Sequence, residues 1–120
     1  MAITNAGMVT MANAFRTGYT YAALHSASGG GNGATNEITA CGREAFTWAA
    51  ATGDGDFDIS AQIDFTSVGA SQAVYSVSVW DSGTSQAGNC GGEWALTGDA
   101  AANAAGEYSV TSIAQNGSST

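Results

Sequence analysis

Asp54, Asp56 and Asp58 form a D-x-D-x-D run, a spacing of carboxylates that suits a hard cation. Calcium takes about six to eight oxygen ligands, and a loop of the EF-hand type needs glycine at its sixth place and glutamate at its twelfth. Counted from Asp54, those places hold Ile59 and Phe65. The run therefore reads as a solvated acidic turn, with Asp58 on the polar face of the strand that follows. His25 is the only histidine, and no G-x-S-x-G motif supplies a nucleophile for it to serve. It is expected as a satisfied or surface histidine at a strand end. Glu37, Glu44, Glu93 and Glu107 offer carboxylates for glycoside hydrolysis, but no spacing selects a pair. The GGGNG run at 29–33 lacks the lysine and the strand-to-helix setting of a phosphate loop. No catalytic residue, metal ligand or cofactor is assigned.

The aromatic residues are the remaining candidates for binding. Aromatic faces stack on sugars, which makes Trp94, Tyr108 and Trp48 candidate ligand-binding residues, although Trp48 and Trp80 read first as core. Cys41 and Cys90 have no CxxC motif or histidine pair beside them. They read as two small buried or half-buried thiols rather than a bridge. The sequon at Asn116-Gly117-Ser118 matters only on a secretory route, and the N-terminus shows neither a basic n-region nor an apolar h-region. The expectation is a soluble protein made in a cytoplasm.

A chain of 120 residues fits one domain, here taken as 1–120. Its charged fraction is 10%, and Arg16 and Arg43 face ten acidic residues for a net charge of −8. That balance argues against nucleic acid, whose phosphates need Lys and Arg to replace counterions. It argues equally against an anionic membrane surface. Seventeen glycines and no proline leave few large side chains to fill an interior. Assembly with copies or neighbours would add buried area, and a shortage of Lys suits an exterior that is partly interface.

Several elements must position these residues. Thr4 or Asn5 caps a helix over about 4–17, whose Met8, Met11, Ala12 and Phe15 share one face. Arg16 suits the last turn and Gly18 the stop. Tyr19–His25 reads as a strand, and 26–37 as a Gly-rich loop that is functional or mobile. In Asp56–Thr66, Phe57, Ile59, Ala61, Ile63 and Phe65 alternate with polar residues, the clearest strand period in the chain. The turn at 52–56 joins it to Ala45–Ala51 as a hairpin. Ala73–Trp80 has apolar residues on both faces, as a central strand should. A second Gly-rich loop at 81–92, a short strand Glu93–Thr97, a loop at 98–106, a closing strand Glu107–Ala114 and a polar tail complete the chain. The pattern is mainly β: an antiparallel β-sandwich or jelly-roll-like domain with a short N-terminal α-helix.

The order of motifs carries a resemblance. ITNAGMVTMANAF, YAALHSASGGGNGATNEI, GREAFTWAAATG, VYSVSVWDSGTSQAG and GEYSVTSIA follow one another along nearly the whole chain. In that order they resemble small tail-fibre or virion structural proteins of tailed phages, especially phages of actinobacteria. The chain departs from that pattern in lacking Pro-Gly after Leu-His and in its longer, alanine-rich last Gly-rich segment. The resemblance implies a non-enzymatic virion structural protein, an exterior module serving as capsid decoration or as a tail or tail-fibre component. Its implied partners are other virion proteins and copies of itself, a trimer among the possible homo-oligomers. Met8, Met11, Phe15, Arg16 and Arg43 are the candidate assembly-interface residues, and the two Gly-rich loops would present adaptable surface. A carbohydrate-binding module for host surface glycans, using Trp94, Tyr108 or Trp48, is the alternative.

Overall fold

The computed structural model describes residues 3–96 and 100–117. Helix α1 covers Asn5–Gly18, starting where the Thr4 hydroxyl accepts the Gly7 N–H at 3.2 Å. It stops where the Tyr19 N–H donates to the Phe15 carbonyl at 3.1 Å, with Arg16 in the last turn. The cap and the stop are those the sequence predicts. Ala12 is the buried residue of the helix, Phe15 packs against the core, and Met11 remains 55% exposed.

Among the described residues six strands follow: β1 (Tyr21–His25), β2 (Glu44–Ala45), β3 (Ile63–Phe65), β4 (Ser76–Trp80), β5 (Cys90–Ala95) and β6 (Tyr108–Val110). All pairings are antiparallel, giving a four-stranded sheet in the order β2-β1-β4-β5 and a two-stranded sheet of β3 and β6. The protein is thus mainly β, with one short helix. β4 lies inside its sheet and is buried along its whole length, as expected of a central strand, but only one of its faces is apolar: Val77 and Val79 lie on that side, and the buried hydroxyls of Ser76 and Ser78 on the other. Directly paired residues of an antiparallel ladder share a face. The register therefore places Ala23, His25, Ser76, Ser78 and Glu93 on one side, and Ala22, Leu24, Val77, Val79 and Trp94 on the other. The apolar side joins Ile63, Phe65 and Val110 of the smaller sheet, with Trp48, Phe57 and Ile113, in one core.

The Asp56–Thr66 segment differs from the single strand its period predicts. Phe57, Ile59, Ile63 and Phe65 are buried as expected, but Ala61 is exposed and the regular strand shrinks to β3. The segment changes partners along its length. Phe57 pairs with Gln115, Ile59 with Trp48, and β3 with β6. Periodicity reported which side chains face the core, not one continuous ladder. The predicted hairpin is present as separate bridges, with Ala49 N–H to the Asp58 carbonyl at 2.8 Å and Ser60 N–H to that of Thr47 at 3.0 Å.

Two further boundaries moved. Strand β5 begins at Cys90, so the last three residues of the expected 81–92 loop are sheet. A Cβ on Gly91 would lie 2.6 Å from the Tyr19 ring, and one on Gly92 would lie 2.9 Å from the Trp94 ring. Glycine serves close ring packing there, not a turn. The closing strand is limited to β6, and its expected continuation to Ala114 runs as irregular chain. The expected strand end at Thr97, the loop residues Gly98 and Asp99, and the tail from Ser118 lie outside the described residues. Among the described residues no helix is long and apolar enough to cross a membrane.

The acidic turn acts as a strap. Asp58 accepts hydrogen bonds from Ile59 N–H at 2.7 Å, Ile113 N–H at 2.6 Å and the Ser112 hydroxyl at 2.5 Å, while Asp56 accepts Gly117 N–H at 2.9 Å. Burial by itself would raise the Asp58 pKa, but the bonds from Ser112, Ile113 and Ile59 together hold it below the ordinary value. A depressed folded-state pKa stabilises above the unfolded value and loses that contribution as the pH falls through the folded one. Asp58→Asn should therefore lower the thermal midpoint at neutral pH. The deficit should close as the pH drops below about 4, which paired denaturation curves at neutral and acid pH would measure.

Candidate functional site

One face of the four-stranded sheet is polar and closed over. His25 Nδ1 lies 2.9 Å from the Thr35 carbonyl, which can only accept, so that nitrogen carries the proton. In the neutral ring Nε2 then accepts the Ser78 hydroxyl at 2.7 Å, and Trp80 Nε1–H donates to the same Ser78 oxygen at 2.7 Å. This is a serine–histidine pair in hydrogen-bond geometry. Both side chains have 0% exposure, so no substrate reaches them and the pair serves to tie β1 to β4. His25 is thus a satisfied, fully buried histidine.

The same face anchors the first Gly-rich loop. Both carboxylate oxygens of Glu93 accept the Gly29 N–H, at 3.1 and 3.0 Å, and the Ser76 hydroxyl donates to one of them. Thr35 N–H reaches the Gly29 carbonyl at 3.1 Å, closing the loop on itself. Glu93 is therefore committed to holding the loop on β5.

Arg43 corrects the expectation that it serves assembly. Its Nε and Nη2 bind the two oxygens of Glu37 at 3.1 and 3.0 Å, and both side chains are 0% exposed. Its Nη1 donates to the carbonyls of Ser82 and Ala87, both at 2.8 Å, and the guanidinium lies 4.0 Å over the Trp80 ring. Gln86 N–H completes Glu37 at 3.1 Å. A planar fork with donors on two edges suits this joint, where a lysine would not. Arg16 also turns inward, donating to Asn13 at 2.6 Å and to the Trp48 carbonyl at 3.2 Å. Its Nε is buried without a partner.

Outside this network the helix meets β5 across an apolar groove of about 460 Å³. Met8, Met11, Ala12 and Phe15 form one wall and Gly91, Gly92 and Trp94 the other, with Phe57 at the base and Gly117 at the rim. Trp48 lies behind it, its ring centroid 6.0 Å from Phe15, 5.0 Å from Phe57 and 6.4 Å from Trp94. Only 6% of Trp48 is exposed and its Nε1–H donates to the Tyr19 carbonyl at 2.7 Å, so it cannot offer a sugar its face. Tyr108 lies apart, in a polar depression of about 470 Å³ lined with Asp64, Thr66, Asn103, Glu107 and Ser109. Burial pushes its phenol pKa up.

The sequence candidates thus divide. Met8, Met11 and Phe15 come together with Trp94, a meeting that no local pattern foretold. Arg43 is internal, Trp48 is core and Tyr108 stands alone. Cys41 and Cys90 are free thiols whose pKa values are raised by burial. Among the described residues no three His, Cys, Asp or Glu side chains group to hold a metal ion.

Removing one member of a buried ion pair strands the other charge, at a cost of about 3–5 kcal/mol. Arg43→Ala should lose that much in urea denaturation. The Arg43→Met, Glu37→Gln double variant should lose less than the sum of its single variants, since the two act as a unit. Compared with protein-family models, with curated proteins and with solved structures, the chain matches none.

Proposed function

We propose that the chain is a non-enzymatic structural protein of a phage virion, an exterior module that acts by protein–protein assembly as capsid decoration or as a tail or tail-fibre component. The observation that carries this reading is the groove between α1 and β5, where Met8, Met11, Phe15 and Trp94 offer apolar surface beside an exposed Met11. Methionine walls adapt to a partner's shape, and apolar surface gathered in a groove suits association. The resemblance of the motif order to small tail-fibre and virion proteins supports the setting. On this reading the two antiparallel sheets, which share one core, are the layers of a β-sandwich or jelly-roll-like module.

The depression around Tyr108 favours a second reading, recognition of a host surface glycan. An aromatic ring set among carboxylates, an amide and hydroxyls offers a sugar both stacking and hydrogen bonds.

Quantitative mass spectrometry and antibody labelling of purified particles test the first reading. The chain should be found on the particle exterior, and its presence in the lysate but not on particles would overturn the assignment. A glycan array tests the second: the wild-type chain should bind, and Tyr108→Ala should abolish the signal. Binding unchanged by that substitution would remove Tyr108 from the site.

A further inference from the structure

We infer that the groove between α1 and β5 takes an extended segment of a different protein, which pairs its backbone with β5 and carries apolar side chains flanked by lysine or arginine. The inference rests on the assembly reading above and names the partner's chemistry. β5 is the end strand of its sheet, with β4 on one side and, among the described residues, no strand on the other. Leu96 N–H donates to the Tyr75 carbonyl, so the same register turns Trp94 and Gly92 toward β4. The N–H and C=O groups of Glu93 and Ala95 then point to the open edge. Such an edge is a template for an added strand, and Glu93 and Trp94 line the groove beside it. Alternate side chains of the incoming strand would meet Met8, Met11 and Trp94.

Charge decides between a second copy and a foreign partner. The chain has no lysine and a net charge of −8. Arg43 is neutralised internally by Glu37, and Arg16 is directed at Asn13 and the Trp48 carbonyl. The groove's lining includes the buried Gly55, which lies between Asp54 and Asp56 in the chain, and Gly117, whose N–H the exposed Asp56 holds. A second copy would bring an acidic body to the acidic turn beside the groove, whereas a basic segment meets both that turn and the overall field.

The test is titration of the isotope-labelled chain with a synthetic alternating valine–lysine peptide, and with its valine–glutamate counterpart. Binding of the basic peptide should shift the amides of Glu93 and Ala95 and the methyls of Met8 and Met11, and should weaken as salt screens the charges. Met11→Lys, at an exposed helix position and with unchanged circular dichroism, should weaken it at least tenfold. Equal binding of the acidic peptide, shifts away from β5, or self-association of the chain that Met11→Lys abolishes would each overturn the inference. If Met11→Lys chains enter particles at the wild-type level, the groove loses its role while the virion reading stands. If the chain is absent from particles yet binds the basic peptide through β5, the virion reading falls and the groove stands.

Discussion

The ion pair between Arg43 and Glu37 ties together segments of the chain that are far apart in sequence. Taking two charges out of water costs several kcal/mol each, and their attraction returns that cost only when every remaining donor and acceptor is satisfied. Here the guanidinium finds Glu37, two carbonyls and the Trp80 ring, and Glu37 also takes the Gln86 N–H. The pair therefore does more to specify position than to stabilise. It fixes the segment after the first Gly-rich loop against the second, and both against β4. Glycine-rich chain would otherwise sample many conformations, and the pair selects one.

A second layer of fixation follows beneath it. Glu93 and Ser76 hold Gly29, while Ser78 bridges His25 and Trp80. The polar side of the sheet is consequently a closed set of hydrogen bonds with little apolar content. The opposite side carries Leu24, Val77, Val79 and the aromatic cluster around Trp48. One sheet thus separates two kinds of interior. The serine–histidine geometry belongs to the polar one, which explains why a pair resembling catalytic machinery sits where no substrate comes.

Much of the fold was legible because its signals are local. Thr4 and Gly18 mark the helix ends, alternation from Phe57 to Phe65 marks the buried side chains apart from Ala61, and the run Ala73–Trp80 marks the central strand, though one of its faces buries serine hydroxyls. The misses come from long-range partners. Arg43 looked like an assembly-interface residue because its carboxylate, its two carbonyls and its ring lie in three different segments. Gly91 and Gly92 looked like loop because the rings that exclude a Cβ belong to Tyr19 and to the folded position of Trp94. Asp56 is exposed and Asp58 half-buried, as a solvated turn should be, but their ties to Gly117 and Ile113 were not legible because those N–H groups lie more than fifty residues away. The candidate groove was half legible. Its helical wall follows from spacing, while the Trp94 wall exists only once β5 has taken its place.

The strap formed by Asp56 and Asp58 has a mechanical consequence. Phe57 and Gln115 exchange backbone hydrogen bonds at 3.0 and 2.8 Å, and Asp56 holds Gly117 just beyond them. Tension applied past Gly117 loads these bonds in turn rather than together. Gly117 would release first, then Gln115, then Ile113 from Asp58, and the chain would peel away like a zip. β1 is held differently, because it lies between β2 and β4 and is hydrogen-bonded to both. The strap would thus yield before the strand that is paired on both sides.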